Sequence, residues 1–228
     1  MEVVLDQPIT EAQWDALADP PGGRYEVLGG QLVVNSSSNA RHNWLGEDLA
    51  DLFRFALRDA GLDRPVTTDV EWRTVAADVV SEAPRGDVVV GATLDPVRYI
   101  HVETPLLVAE IWSDGTAAST VAAKRSYWKD RGLDHYWEIT VGADEDAVDI
   151  AIWHLGSDRL PQRVSGDNTV VVSEPFAIEI TPATIIGATQ RIYDELAERV
   201  DELDERVDEL ASENEMLRRR LAEEHGDS

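Results

Sequence analysis

Apolar and polar positions along the chain change period several times, and each change marks an element. Thr10 followed by Gln13 has the spacing of a capping box and predicts a short helix running through Leu17. Pro20-Pro21-Gly22-Gly23 breaks the chain. RYEVLGGQLVV, residues 24–34, predicts two apolar-rich strands joined at Gly29-Gly30, a dipeptide suited to a tight turn. The serine run ending at Asn39 offers a helix cap. Leu45, Leu49, Leu52, Phe53 and Ala56 then recur at helical spacing until Gly61.

Strands are predicted at Val66–Arg73, Asp87–Val90 and Leu106–Trp112. The last is almost wholly apolar, as in a strand covered on both faces. Thr116–Arg131 predicts a helix stopping at Gly132. HYWEITV (135–141) and AVDIAIWHL (147–155) predict a hairpin around an acidic loop, and two short strands follow in TVVVS and FAIEI. These elements make a mixed α/β core, a mixed sheet flanked by helices.

From Tyr193 the period becomes a regular heptad. Tyr193, Val200, Val207, Asn214 and Leu221 take the a positions, and Leu196, Leu203, Leu210 and Leu217 take d. Valine at a with leucine at d favours two parallel strands, and a buried Asn at a fixes register. Arg199 at g faces Asp204 at e of a second copy, and Glu213 faces Arg218. The chain therefore divides into a core, residues 1–186, and a C-terminal coiled-coil helix, 187–228, that makes a parallel homodimer.

Composition narrows the function. The 228 residues carry a net charge of −25, so a nucleic-acid partner needs a local basic patch against a repelling surface. Cysteine is absent, which excludes disulfides and thiolate metal sites. No apolar run reaches the roughly 18 residues of a membrane span. The N-terminal MEVVLDQPIT has no basic stretch of a secretory leader, so the expected location is cytoplasmic. There is no Walker loop, dinucleotide motif or serine elbow.

Lysine is the informative residue. The chain has two, Lys124 and Lys129, against eighteen arginines. Both follow strands bearing carboxylates, Asp87 and Glu110. Lysine is a compact cation whose proton affinity responds to its surroundings, which arginine's does not. An Asp, a Glu and a Lys in one place suit a divalent metal and a hydroxide nucleophile. His42, at the start of the long helix, suits a phosphate contact or a base, and equally a solvated histidine. His101, His135, His154 and His225 lack metal-ligand spacing and carry no assigned role. Arg125, Lys129 and Arg131, with Arg54 and Arg58, form either a phosphate-facing patch or a solvated helix face.

Residues 24–186 resemble the Uma2-type endonucleases, a branch of the PD-(D/E)XK restriction-endonuclease-like superfamily. The likeness rests on YEVLGGQLVV, on His42 before the long helix, on Asp87 and Glu110 in their strands, and on Ser113 and Thr116. Lys124, Tyr127, the Gly132 turn, Tyr136-Trp137 and SEPFAIEITPATI complete it. It implies a restriction-endonuclease-like core and a DNA endonuclease whose catalytic residues are Glu26, Asp87, Glu110 and Lys124. Asp87 and Glu110 are the implied metal ligands, and oxygen donors favour Mg²⁺ or Mn²⁺. Gly86 stands where the family has proline. Trp112 stands where the superfamily's lysine usually follows the glutamate, so the likeness implies that Lys124 on the helix replaces it. The alternative reading is a catalytically degenerate nuclease fold acting as a dimeric binding or regulatory module.

Overall fold

The computed structural model describes residues 2–5, 8–21, 23–36, 40–91, 94–95, 100–101, 104–142 and 147–187, and isolated positions between 203 and 211. Met1–Ala188 forms one compact unit and Thr189–Ser228 another. In the first, strands β1 (Glu2–Leu5) and β2 (Ile9–Thr10) precede helix α1 (Glu11–Asp15) and the hairpin β3 (Gly23–Leu28) and β4 (Gln31–Ser36). Helix α2 (Ala40–Asp59) leads into β5 (Val66–Glu71), β6 (Thr74–Ala76), β7 (Val79–Glu82) and β8 (Arg85–Val90). Two short strands, β9 (Leu94–Asp95) and β10 (Ile100–His101), come before β11 (Leu107–Ser113), α3 (Ala118–Asp130), β12 (His135–Val141) and β13 (Val148–His154). The unit ends with β14 (Gln162–Ser165), β15 (Val170–Val172), β16 (Ile178–Ile180) and α4 (Pro182–Ile185).

The central sheet has the order β14-β13-β12-β11-β8-β5, with β11 and β12 parallel and the other pairs antiparallel. The parallel pair requires a crossover, and α3 supplies it. Val88, Val90, Trp137, Ile139 and Ile150 point to one face, where α2 places Leu49 and Phe53 and α4 places Ile185. Phe53 meets Trp137 edge-on at 5.1 Å. Residues one position out of phase, Val89, Val108 and Tyr136, face α3 and pack with Trp72 and Trp128. These two tryptophans stack with centroids 5.5 Å apart. The mixed α/β architecture is therefore as expected from the sequence.

Local chemistry explains the boundaries. The Thr10–Gln13 capping box is made in both directions, but its helix ends at Asp15 rather than Leu17. Gly29 and Gly30 adopt φ of 60° and 79°, the left-handed pair that a two-residue hairpin turn requires. Helix α3 begins at Ala118, two residues after Thr116, because Thr116 N–H bonds back to Ser113 O in a preceding turn. The hairpin of β6 and β7 turns on Ala77-Asp78, both at positive φ. In the heptad segment, only Leu203, Arg206, Val207, Leu210 and Ala211 are described, all helical, so Tyr193, Asn214 and the predicted coiled coil lie outside the described residues.

Candidate active site

The site forms where the central sheet opens. β8 pairs with β11 from Leu107↔Val90 to Ala109↔Val88, and no pair follows. On its other side, the register with β5 passes from Thr68↔Val88 to Val70↔Gly86, leaving out the Asp69–Asp87 rung. Asp69 sits there at φ 51°, a left-handed conformation that aspartate tolerates better than most residues. Into this opening the Asp87 carboxylate turns, and its Oδ2 accepts the Ile111 N–H at 2.7 Å. Glu110 belongs to the same face, one residue before Ile111.

Two groups of charges meet at this place. In the first, Lys124 from α3 donates to Glu26 of β3 at 2.8 and 3.1 Å and to the Arg85 carbonyl at 2.8 Å. Its Nζ is also 3.4 Å from Glu110 Oε1, which accepts the Trp128 indole N–H at 3.0 Å. Lys124 is 3% exposed and Glu26 0%, so both charges have left water and depend on this pairing. In the second group, Arg24 of β3 donates to Asp87 Oδ1 at 3.1 Å and to Asp69. The His42 Nε2 lies 3.3 Å from Asp87 Oδ2 and 3.1 Å from the Ile111 carbonyl. Arg24 Nε, 3.7 Å from Glu26, links the groups. A cavity of about 270 Å³, lined by Arg24, His42, Gly46, Glu47, Thr68 and Asp87, reaches the second group from outside.

The two strand-borne carboxyls are driven in opposite directions. Burial alone raises Asp87, but the His42 hydrogen bond and charge, Arg24 and the Ile111 N–H outweigh it and hold the group down at about 2. Burial pushes Glu110 up to about 8; Lys124 opposes this, while Asp87 and Glu26 add to it. His42 is raised: burial favours the neutral ring, and the bond to Asp87 reverses the balance. Lys124 is raised too, since Glu110 and Glu26 overcome its burial. The centre thus combines an Asp87 whose ionised form is favoured with a Glu110 whose protonated form is favoured.

Glu26, Asp87, Glu110 and Lys124, the four residues singled out in the sequence, come together here from β3, β8, β11 and α3. Four arginines of the expected patch are engaged with groups of the protein itself. Arg125 pairs with Glu138 at 2.6 Å and lies over the Trp153 ring, while Arg131 pairs with Glu82 and lies over Tyr127. Arg54 bonds Asp51 and the Val66 carbonyl, and Arg58 lies over Phe55. Sequence reasoning passed over Arg24 and Asp69. Arg24 lies two residues before Glu26 on β3, and that period-two spacing puts it on the same face; Asp69 has no comparable signal.

Gly86 has a structural reason. A Cβ there would stand 2.7 Å from Val89 Cγ2 and 3.1 Å from Val108 Cγ1, beneath the Trp128 ring. The Val89 and Val108 side chains fill the space that a proline at this position would need.

The donor chemistry fits a hard divalent cation. Asp87 and Glu110 are oxygen donors on adjacent strands, and the negative charges of Asp87 and Glu26 add to the burial that raises Glu110. Among the described residues no hydrogen bond reaches Glu110 Oε2.

The chain is thus an α/β protein whose mixed sheet opens onto a buried cluster of charges. A solved structure described as "a putative nuclease belonging to DUF820 from Anabaena variabilis" shares the fold, with a TM-score of 0.57 at 13% identity. The likeness covers 78% of this chain and 97% of that one. Residues 12–184 match the model of the Uma2 family, described as "Putative restriction endonuclease", and the chain belongs to that family. No curated protein matches it.

Proposed function

We propose that this protein is a divalent-metal-dependent endonuclease that hydrolyses phosphodiester bonds in DNA and works as a homodimer. The observation that carries this reading is the convergence of Glu26, Asp87 and Glu110, from three strands, on an opening in the sheet beside the buried Lys124. Asp87 and Glu110 would hold Mg²⁺ or Mn²⁺, which supplies Lewis acidity toward water and the phosphate. The chain's own contribution is electrostatic. Lys124 fixes a positive charge at the centre, and Glu26 and the Arg85 carbonyl keep its Nζ in place. The Ile111 N–H, His42 and Arg24 hold Asp87 ionised and oriented. Low dielectric strengthens each of these interactions toward a charged phosphate.

The dimer rests on the heptads. Leu203, Val207 and Leu210, at d, a and d, are 64%, 61% and 43% exposed in the single chain. An apolar stripe of that spacing calls for a second helix, and the sequence pattern makes the partner another copy.

Incubation with supercoiled, linear and single-stranded DNA in Mg²⁺ or Mn²⁺ tests the reading. Nicking or linearisation that EDTA abolishes is the expected result. One observation favours the second reading, a catalytically silent nuclease fold used for binding: Arg24 and Lys124 already neutralise Asp87 and Glu26. Absence of cleavage across all substrates and both metals would select it.

A further inference from the structure

We propose a second metal site, for a late first-row divalent ion such as Zn²⁺, at Asp134, His135 and His154. Adjacent to each other in space, these three side chains each offer a ligand atom, all within 4.8 Å of one another. The hairpin register creates the group. β12 and β13 pair antiparallel from Val141↔Val148 back to His135↔His154, which sets the two histidines directly opposite each other. Their rings meet edge-on at 5.2 Å. The Asp134 Oδ2 stands 3.8 Å from His135 Nε2, while its Oδ1 accepts the Gly156 N–H at 3.0 Å and fixes the carboxylate beside the strand end.

The chemistry differs from that of the carboxylate centre. Two imidazoles and one carboxylate are borderline ligands that suit Zn²⁺ and its neighbours, whereas an all-oxygen set suits Mg²⁺ or Mn²⁺. Metal–nitrogen bonds of about 2.0–2.1 Å put tetrahedral ligand atoms about 3.4 Å apart. Side-chain rotations of about 1 Å bring the present spacing to that value. Three protein ligands leave a fourth position open, and the cavity beside them admits an ion. It has a volume of about 530 Å³ and is lined in part by Asp134, His154, Ser157 and Glu174.

The location is separate as well. His135 is two residues from Trp137, which packs on the α2 face, so it belongs to that side of the sheet. Glu110 pairs with Glu138, three residues from His135, on the α3 side. An ion here would tie the start of β12 to the end of β13. This inference does not depend on nuclease activity.

Titration calorimetry of the full, tag-free chain with Zn²⁺ tests it, with thermal unfolding alongside. Wild-type protein is expected to bind Zn²⁺ and to show a Zn²⁺-dependent rise in Tm. His154→Gln and Asp134→Asn are expected to bind at least tenfold more weakly and to lose the Zn²⁺-dependent rise in Tm. Asp134→Asn keeps an oxygen for the Gly156 N–H, so loss of binding there is not explained by loss of the turn; circular dichroism checks that both variants fold. Zn²⁺ binding that survives unchanged in both variants would overturn the proposal, as would a wild-type chain that binds no Zn²⁺.

Discussion

The Nζ of Lys124 lies 2.8 Å from Oε2 of Glu26, and both groups are out of contact with water. Removing one partner of such a pair strands the other in low dielectric. Lys124→Met is therefore expected to cost about 3–5 kcal/mol in a denaturant titration. The double variant Lys124→Met/Glu26→Gln should recover much of that loss, because no charge is left uncompensated. Neither protein should cleave DNA. A double variant as unstable as the single one would show that packing, not charge, sets the cost.

Metal binding should depend on the strand pair. Mn²⁺ titrated into the wild type is expected to bind, and Glu110→Ala should abolish the signal while the fold persists. Unchanged binding in that variant would move the Mn²⁺ site away from Asp87 and Glu110.

The carboxyls also set a pH dependence in metal-free protein. Glu110, raised to about 8, keeps its proton in the folded state after it has lost it in the unfolded chain. Its contribution to stability is thus complete below the ordinary glutamate range and is lost as pH rises through about 8. Asp87, held at about 2, contributes above the ordinary aspartate range and loses that contribution as pH falls through about 2. Glu110→Gln should flatten the fall in Tm between the ordinary glutamate range and about pH 8. A slope identical to wild type would remove Glu110 as its source.

Gly86→Ala should destabilise the core by about 1–3 kcal/mol, since the new methyl meets two valine side chains under Trp128. Denaturant unfolding measures it. A neutral effect would mean that the Val89 rotamer can turn aside.

Truncation from Asp194 onward should leave a folded monomer, and light scattering decides it. A truncated chain that stays dimeric would place an interface in the core.

The main elements of the fold were legible because their periods are strong. The Gly29-Gly30 hairpin, the leucine spacing of α2 and the apolar run of β11 depend on local chemistry. The hairpin of β6 and β7 was not, because its turn uses Ala77-Asp78 instead of the glycine or asparagine that signals left-handed residues. The meeting of Glu26, Asp87, Glu110 and Lys124 in one place was legible through family likeness and charge type. His135 and His154 lack ligand spacing in the sequence, yet the hairpin register, counted outward from the acidic loop, pairs them. Asp69 was out of reach: its place depends on a missing rung between strands, which is a tertiary property.

The bond between Lys124 and Glu26 spans 98 residues of chain. A ribosome must deliver the opening hairpin, the long helix, β8, β11 and α3 before that bond can close. The charged centre cannot assemble before residue 124 has emerged, and a fragment lacking either end of this span has no way to build it.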